Sequence, residues 1–168
     1  MILRGTIAEN ITFGCETSED EQGQQEAMWK AAELAEIGDI IRFLPDEFNT
    51  VVGRGIGILS HGEQQRLCLA RALYRKPSLL LLDEVASALD LVSEATIFDT
   101  LLALRQKEKM TIISVTHRLS TTKHADDIVV LTQGRVAEFG TYSELVEKDD
   151  GVFRSFLIAG GQEKALLS

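Results

Sequence analysis

Residues 59–90 read LSHGEQQRLCLARALYRKPSLLLLDEVASALD, and this stretch decides the fold. After a Ser-His-Gly turn, Leu67, Ala70, Leu73 and Tyr74 recur at helical spacing, so a helix is expected from near Glu63 until Lys76-Pro77 stops it. Leu79, Leu80, Leu81 and Leu82 then form an unbroken apolar run, the pattern of a parallel strand covered on both faces. Parallel α/β sheets gather their chemistry at the carboxyl ends of strands, and this strand ends in Asp83 and Glu84.

The two ends of the stretch suggest complementary chemistry. Ser60, His61 and Gly62 sit where a loop becomes a helix, so free backbone N–H groups and the helix dipole converge on one spot that suits an anion such as phosphate. Asp83 is placed to hold Mg²⁺ directly or through water, and Glu84 to orient and deprotonate a water. Singly, a Ser-x-Gly is a helix cap and an Asp-Glu pair is a solvated strand end. The order and spacing of the pieces set those readings aside.

Together these residues resemble the ATP-binding cassette (ABC) ATPases. Leu59-Ser60-His61-Gly62-Glu63-Gln64-Gln65-Arg66 is similar to their signature, LSGGQ followed by x-Q-R. The run ending in Asp83 resembles the Walker B strand, Glu84 the catalytic glutamate, and Ser87-Ala88-Leu89-Asp90 the D-loop. Two signature positions depart from the family: His61 replaces a glycine, and its Cβ is expected to restrict the approach of phosphate, while Glu63 replaces a glutamine.

Working outward, Gly5 permits a turn, and Thr6 with Glu9 fits a capping box for a short helix. Gly5-Thr6-Ile7-Ala8-Glu9-Asn10-Ile11 resembles the exporter pattern G-T-I-x-x-N-I, which opens the helical subdomain of those cassettes. Residues 15–25 are acid-rich and read as an exposed loop or helix entry. Ala27, Ala31, Leu34 and Ala35 mark a helix over 27–37 with Gly38 near its end, and a second helix over 39–44 stops before Pro45. Trp29 on this stripe is expected to pack rather than to dock a partner. Glycines crowd residues 46–58, a structured loop feeding the signature; the exporter pattern T-x-V-G-E-R-G has no acid here, because Arg54 takes its place.

Beyond Asp90, Ile97, Leu101 and Leu104 place a helix over 92–105, followed by a charged turn at 106–109. Residues 110–116 alternate into a second buried strand that ends at His117, at the carboxyl end beside Asp83 and Glu84. Thr116-His117-Arg118-Leu119 resembles the family's H-loop, which implies that His117 contacts the γ-phosphate and the attacking water. Two strands over 126–131 and 135–139, joined by Thr132-Gln133-Gly134, lead to a Thr141/Glu144 capping box for a helix over 142–147. Residues 125–145 resemble the exporter pattern A-D-x-I-x-V-L-x-x-G-x-x-x-E-x-G-T-x-x-E-L. A last helix near 152–158 and a frayed tail from Gly160-Gly161 complete the chain.

Composition narrows the field further. With 168 residues and 45% apolar content, the chain can bury a globular core. Its 17 basic against 26 acidic residues give a formal charge of −9, which argues against nucleic acid as a partner. Cys15 and Cys68, far apart in sequence, read as reduced thiols rather than a disulfide or metal pair. No apolar run approaches 18 residues and no basic-then-apolar leader opens the chain, so membrane association is expected through a partner or another segment.

The expected fold is therefore α/β, the P-loop NTPase-like ABC ATPase fold in incomplete form. A helical subdomain over 15–75 carries the signature, the remainder of the catalytic lobe over 76–159 carries a mainly parallel sheet flanked by helices, and 160–168 form a flexible tail. Nothing matches the phosphate loop G-x-x-x-x-G-K-[S/T], and by spacing the family's Q-loop glutamine would fall just before Met1, so the chain is expected to be the later part of a nucleotide-binding domain. The resemblance implies ATP and Mg²⁺ as ligands and hydrolysis coupled to export. It assigns Glu84 and His117 to catalysis, Asp83 to the metal, and Ser60, His61, Gly62, Glu63 and Asp90 to nucleotide binding. It further implies a head-to-tail pair with a second cassette, so that the signature completes the partner's site, together with transmembrane domains and a cytosol-facing cassette. Without a phosphate loop the isolated chain is expected to be inactive. The alternative is a truncated, non-catalytic cassette that pairs with another ABC domain as an interaction module. A soluble repair or translation ATPase is disfavoured by the acidic balance and the exporter-like ends.

Overall fold

A computed structural model describes residues 1–15, 20–53, 55–84 and 91–160. Expectations for residues 16–19 of the acid-rich stretch, Arg54, the D-loop with Asp90, and the tail beyond Gly160 lie outside these residues. The chain divides into two compact units, Met1–Val115 and Thr116–Ser168.

The first unit opens with β1 (Gly5–Thr6) and α1 (Ile7–Thr12). The Thr6 hydroxyl accepts from the Glu9 N–H while the Glu9 carboxylate accepts from the Thr6 N–H, forming the capping box expected from sequence. Asp20 caps α2 (Glu21–Leu34), which begins earlier than the apolar stripe alone indicates. Gly38 starts α3 (Gly38–Phe43) rather than closing the helix before it; the reversal is made by Glu36, at φ +55. Trp29 meets Phe48 edge to face at 4.5 Å between centroids, and the Arg42 guanidinium lies 4.7 Å above the indole, so the tryptophan packs as expected. Hydrogen bonding to Glu33, aided by Asp39, raises the Arg42 pKa above its ordinary range.

A single 3₁₀ turn (Glu47–Asn49) leads to β2 (Val51–Val52), which pairs antiparallel with β1 through Gly5 opposite Val52 and Thr6 opposite Val51. Then comes α4 (His61–Tyr74), burying Leu67, Ala70 and Leu73 against Ile7 and Ile11 of α1 and Ala31 and Ala32 of α2 in one cluster. Each large aliphatic side chain so buried contributes about 1.5–3 kcal/mol relative to exposure.

β3 (Leu79–Asp83) runs parallel to β4 (Thr111–Val115), with α5 (Leu91–Glu108) between them in sequence. The described residues contain one parallel pair and two antiparallel pairs. The expectation that the leucine run is covered on both faces does not hold: Leu80 and Leu82 are buried, whereas Leu79 and Leu81 are exposed. Nor is β4 buried, since Ile113 and Val115 also face outward. An unbroken apolar run allows either arrangement, because side chains alternate between faces whatever their hydropathy.

In the second unit, β5 (Ile128–Thr132) and β6 (Arg135–Gly140) form a hairpin in which Thr132 faces Arg135. Gln133 and Gly134 take positive φ of 49° and 73°, the geometry of a tight two-residue turn whose twist matches the strands. Thr141 and Glu144 box the start of α6 (Tyr142–Glu147), and α7 (Val152–Ala159) follows. Ile128 and Val130 pack with Leu145, Phe153 and Leu157. No side chain of the N-cap residue Gly151 caps α7; the Glu138 carboxylate, reaching from β6, accepts from the N–H groups of Val152 and Phe153 at 3.1 and 2.9 Å.

Candidate nucleotide site

The N-terminus of α4 is built by a third capping box. Ser60 is the N-cap: its hydroxyl accepts from the Glu63 N–H at 3.3 Å, and its own N–H donates to the Glu63 carboxylate at 2.7 Å. The helix consequently begins at His61, two residues before the start expected from the apolar stripe. The S-x-x-E spacing carries this signal in the sequence. Glu63, in the position of the family's glutamine, is thus held by the N-cap. Gln64 fixes the preceding residue by donating to the Leu59 carbonyl at 2.9 Å, and Arg66 donates to the Glu36 carbonyl at 3.0 Å. With the box closed, helix geometry leaves the N–H groups of His61 and Gly62 without intrahelical acceptors at the positive end of a 14-residue dipole. His61 is exposed and Gly62 half-buried, so this end faces solvent.

Asp83 closes β3 on the same face as Leu79 and Leu81 and is exposed. Glu84 follows, also exposed, with φ +47, and its N–H donates to the Val115 carbonyl at 3.0 Å, extending the parallel ladder by one bond. A glutamate in the left-handed region costs roughly 1–2 kcal/mol, and such strain is commonly retained where a side chain must be aimed. Among the described residues no cluster of three or more His, Cys, Asp or Glu side chains forms a metal cage. Two adjacent carboxylates at an open strand end fit Mg²⁺, which takes one or two carboxylates and completes its shell with phosphate oxygens and water.

His117 lies two residues beyond Val115 and belongs to the second unit. It is exposed, and the Arg118 N–H donating to the Thr116 hydroxyl at 2.9 Å ties the turn around it. Of the sequence-predicted site residues, Ser60, His61, Gly62 and Glu63 share the first turn of α4, and Asp83 and Glu84 share the end of β3. Both cysteines are free thiols. Sequence reasoning missed Asn10 and Arg71, whose hydrogen bonds tie α1 to the signature helix; residues 61 positions apart carry no local pattern to reveal them.

Comparison with known proteins places these local geometries in a family. The chain is 40% identical over 167 residues to ATP-binding cassette sub-family B member 10, mitochondrial, of Mus musculus, covering 96% of this chain and 23% of that protein. It is 47% identical over 147 residues to ABC multidrug transporter atrD of Emericella nidulans, covering 88% of this chain and 11% of that protein. A solved structure, described as a bacterial Atm1-family ABC exporter with ATP bound, matches with a TM-score of 0.84 and 37% identity, over 95% of this chain and 27% of that one. The chain therefore spans less than a quarter of the length of these curated relatives. The ABC transporter family model matches residues 3–87, just over half of the 168, and covers both the signature helix and the acidic strand end. On that match, and with the ABC ATPase fold of the exporter structure, the chain belongs to the ABC transporter family.

Proposed function

We propose that this chain carries the signature and hydrolytic elements of an ATP-driven membrane exporter. The observation that carries the reading is the exposed Asp83–Glu84 pair at the carboxyl end of a parallel strand, in a fold matching an exporter solved with ATP bound. Asp83 would hold Mg²⁺, which when bound offsets the charge of the triphosphate. Glu84 orients and deprotonates the attacking water, and His117 contacts the γ-phosphate. Ser60, His61 and Gly62, with Glu63 holding their turn, offer backbone N–H groups to the ATP of a second cassette arranged head to tail, and Asp90 joins that interface. Transmembrane domains transmit the cycle to a cargo, with the cassette facing the cytosol. A phosphate loop, which these 168 residues do not contain, would be supplied by other sequence.

Mg-ATP hydrolysis by membranes carrying the protein tests this reading. Glu84→Gln should reduce turnover about 100-fold or more. Ser60→Asp keeps a good N-cap but sets a fixed negative charge where phosphate is to be held, so its melting temperature should stay constant while turnover falls to a similar extent. His61→Gly should raise turnover by removing the Cβ. Wild-type hydrolysis in both Glu84→Gln and Ser60→Asp would overturn the reading.

A further inference from the structure

Asn10 is fully buried and every part of its amide is engaged. Its Oδ1 accepts from the Leu3 N–H at 2.9 Å and from Arg71 Nη2; its Nδ2 donates to the carbonyls of Leu3 and Thr6, each at 3.0 Å. Arg71, on the third turn of α4, also donates Nε to the Asn10 carbonyl at 2.6 Å and Nη1 to the Met1 carbonyl at 3.0 Å. Its guanidinium lies 5.9 Å from the Phe13 ring centroid. Three pieces of backbone, the lead over residues 1–3, α1 and the signature helix, thus meet on two side chains.

Burial alone does not call for such a knot, since apolar residues of similar volume hold two helices together as well or better than a buried polar network. Directional bonds do what apolar packing cannot: they fix the axial and rotational position of α4 relative to the lead. Ser60 lies eleven residues from Arg71 on one unbroken helix, about 16 Å at 1.5 Å per residue, so the helix carries that position to its N-terminus as a rigid rod. We infer that Arg71, through Asn10, is a positioning residue that sets where the Ser60–Gly62 turn sits during ATP hydrolysis, coupling it to the backbone of residues 1–3. This inference rests on the reading that the α4 N-terminus contacts nucleotide.

On the reading that the N–H groups of this turn stabilise phosphate in the transition state, losing the knot should lower kcat and leave KM for ATP unchanged. In membranes carrying the protein, Arg71→Met, which retains the length of the stem, should lower kcat at least tenfold with KM unchanged and the melting temperature within a few degrees of wild type. Arg71→Lys, which keeps the charge but loses the fork, should recover part of the rate. A kcat that stays at the wild-type value, or falls only in step with melting temperature, would overturn the inference. Should Arg71→Met fail to fold, Arg71→Lys decides by the same criteria. Ser60→Asp separates the two claims: if it abolishes turnover while Arg71→Met does not, only the positioning role falls, and if it leaves turnover intact, the underlying reading falls.

Discussion

The backbone N–H of Glu84 donates to the carbonyl of Val115 at 3.0 Å, so the residue that leaves β3 remains pinned to the last residue of β4. The ladder that pairs Asp83 with Val115 thereby continues one step past the strand, while φ of +47 turns the chain out of extended geometry at Glu84. Two consecutive carboxylates are in this way presented with different backbone directions, Asp83 from a strand and Glu84 from a left-handed turn.

That conformation separates stability from activity at one position. Glu84→Gly removes the left-handed penalty and should leave the protein at least as stable as wild type, whereas Glu84→Val, β-branched at positive φ, should lose about 1–2 kcal/mol. Both should lack hydrolysis. Denaturant titration of each variant beside an ATPase assay checks this, and a destabilised Glu84→Gly would show that the turn imposes no strain.

Glu138 holds the start of α7 from a neighbouring strand, replacing the cap that Gly151 cannot supply. Glu138→Ala should cost the second unit about 1–3 kcal/mol, the penalty of leaving two partly buried N–H groups without an acceptor. Amide exchange at Val152 and Phe153 should accelerate before exchange elsewhere does. Unchanged protection at both amides would contradict the capping role.

Glu144 gives a pH dependence with a defined sign. The Thr141 backbone N–H, then its hydroxyl, hold the Glu144 pKa below its ordinary value of 4.5. Because the folded form binds the proton less readily than the unfolded one, this carboxylate stabilises α6 above pH 4.5, and the contribution disappears as pH falls through the lowered folded value. Glu144→Gln should abolish that segment of the pH profile. Following exchange of the α6 amides between pH 2 and 6 in both proteins would reveal it, and identical profiles would rule it out.

Leu81 and Val115 are 67% and 59% exposed and lie on one face of the parallel pair with Leu79 and Ile113. Open apolar faces of this kind drive self-association. The double variant Leu81→Thr/Val115→Thr keeps β-forming side chains and should reduce light scattering at a given concentration, with stability within about 0.5 kcal/mol of wild type. Equal scattering would place the association elsewhere.

The legible parts of this chain are those whose physics is local. Capping boxes at Thr6/Glu9 and Thr141/Glu144, the Gln133-Gly134 turn and the helices behind them follow from hydrogen bonds that span three or four residues. The positions of Ser60, Asp83 and Glu84 in the fold were legible for the same reason: a loop-to-helix junction and a strand end are set by short spacing, and the motifs around them pointed to the family. Tertiary structure alone decided which leucines of the 79–82 run are covered, because alternation sends them to opposite faces and only the packing elements choose between those faces. It also decided that Asn10 meets Arg71 and that Glu138 caps α7. Such bonds join residues distant in the chain, which folding brings together only after the local elements exist.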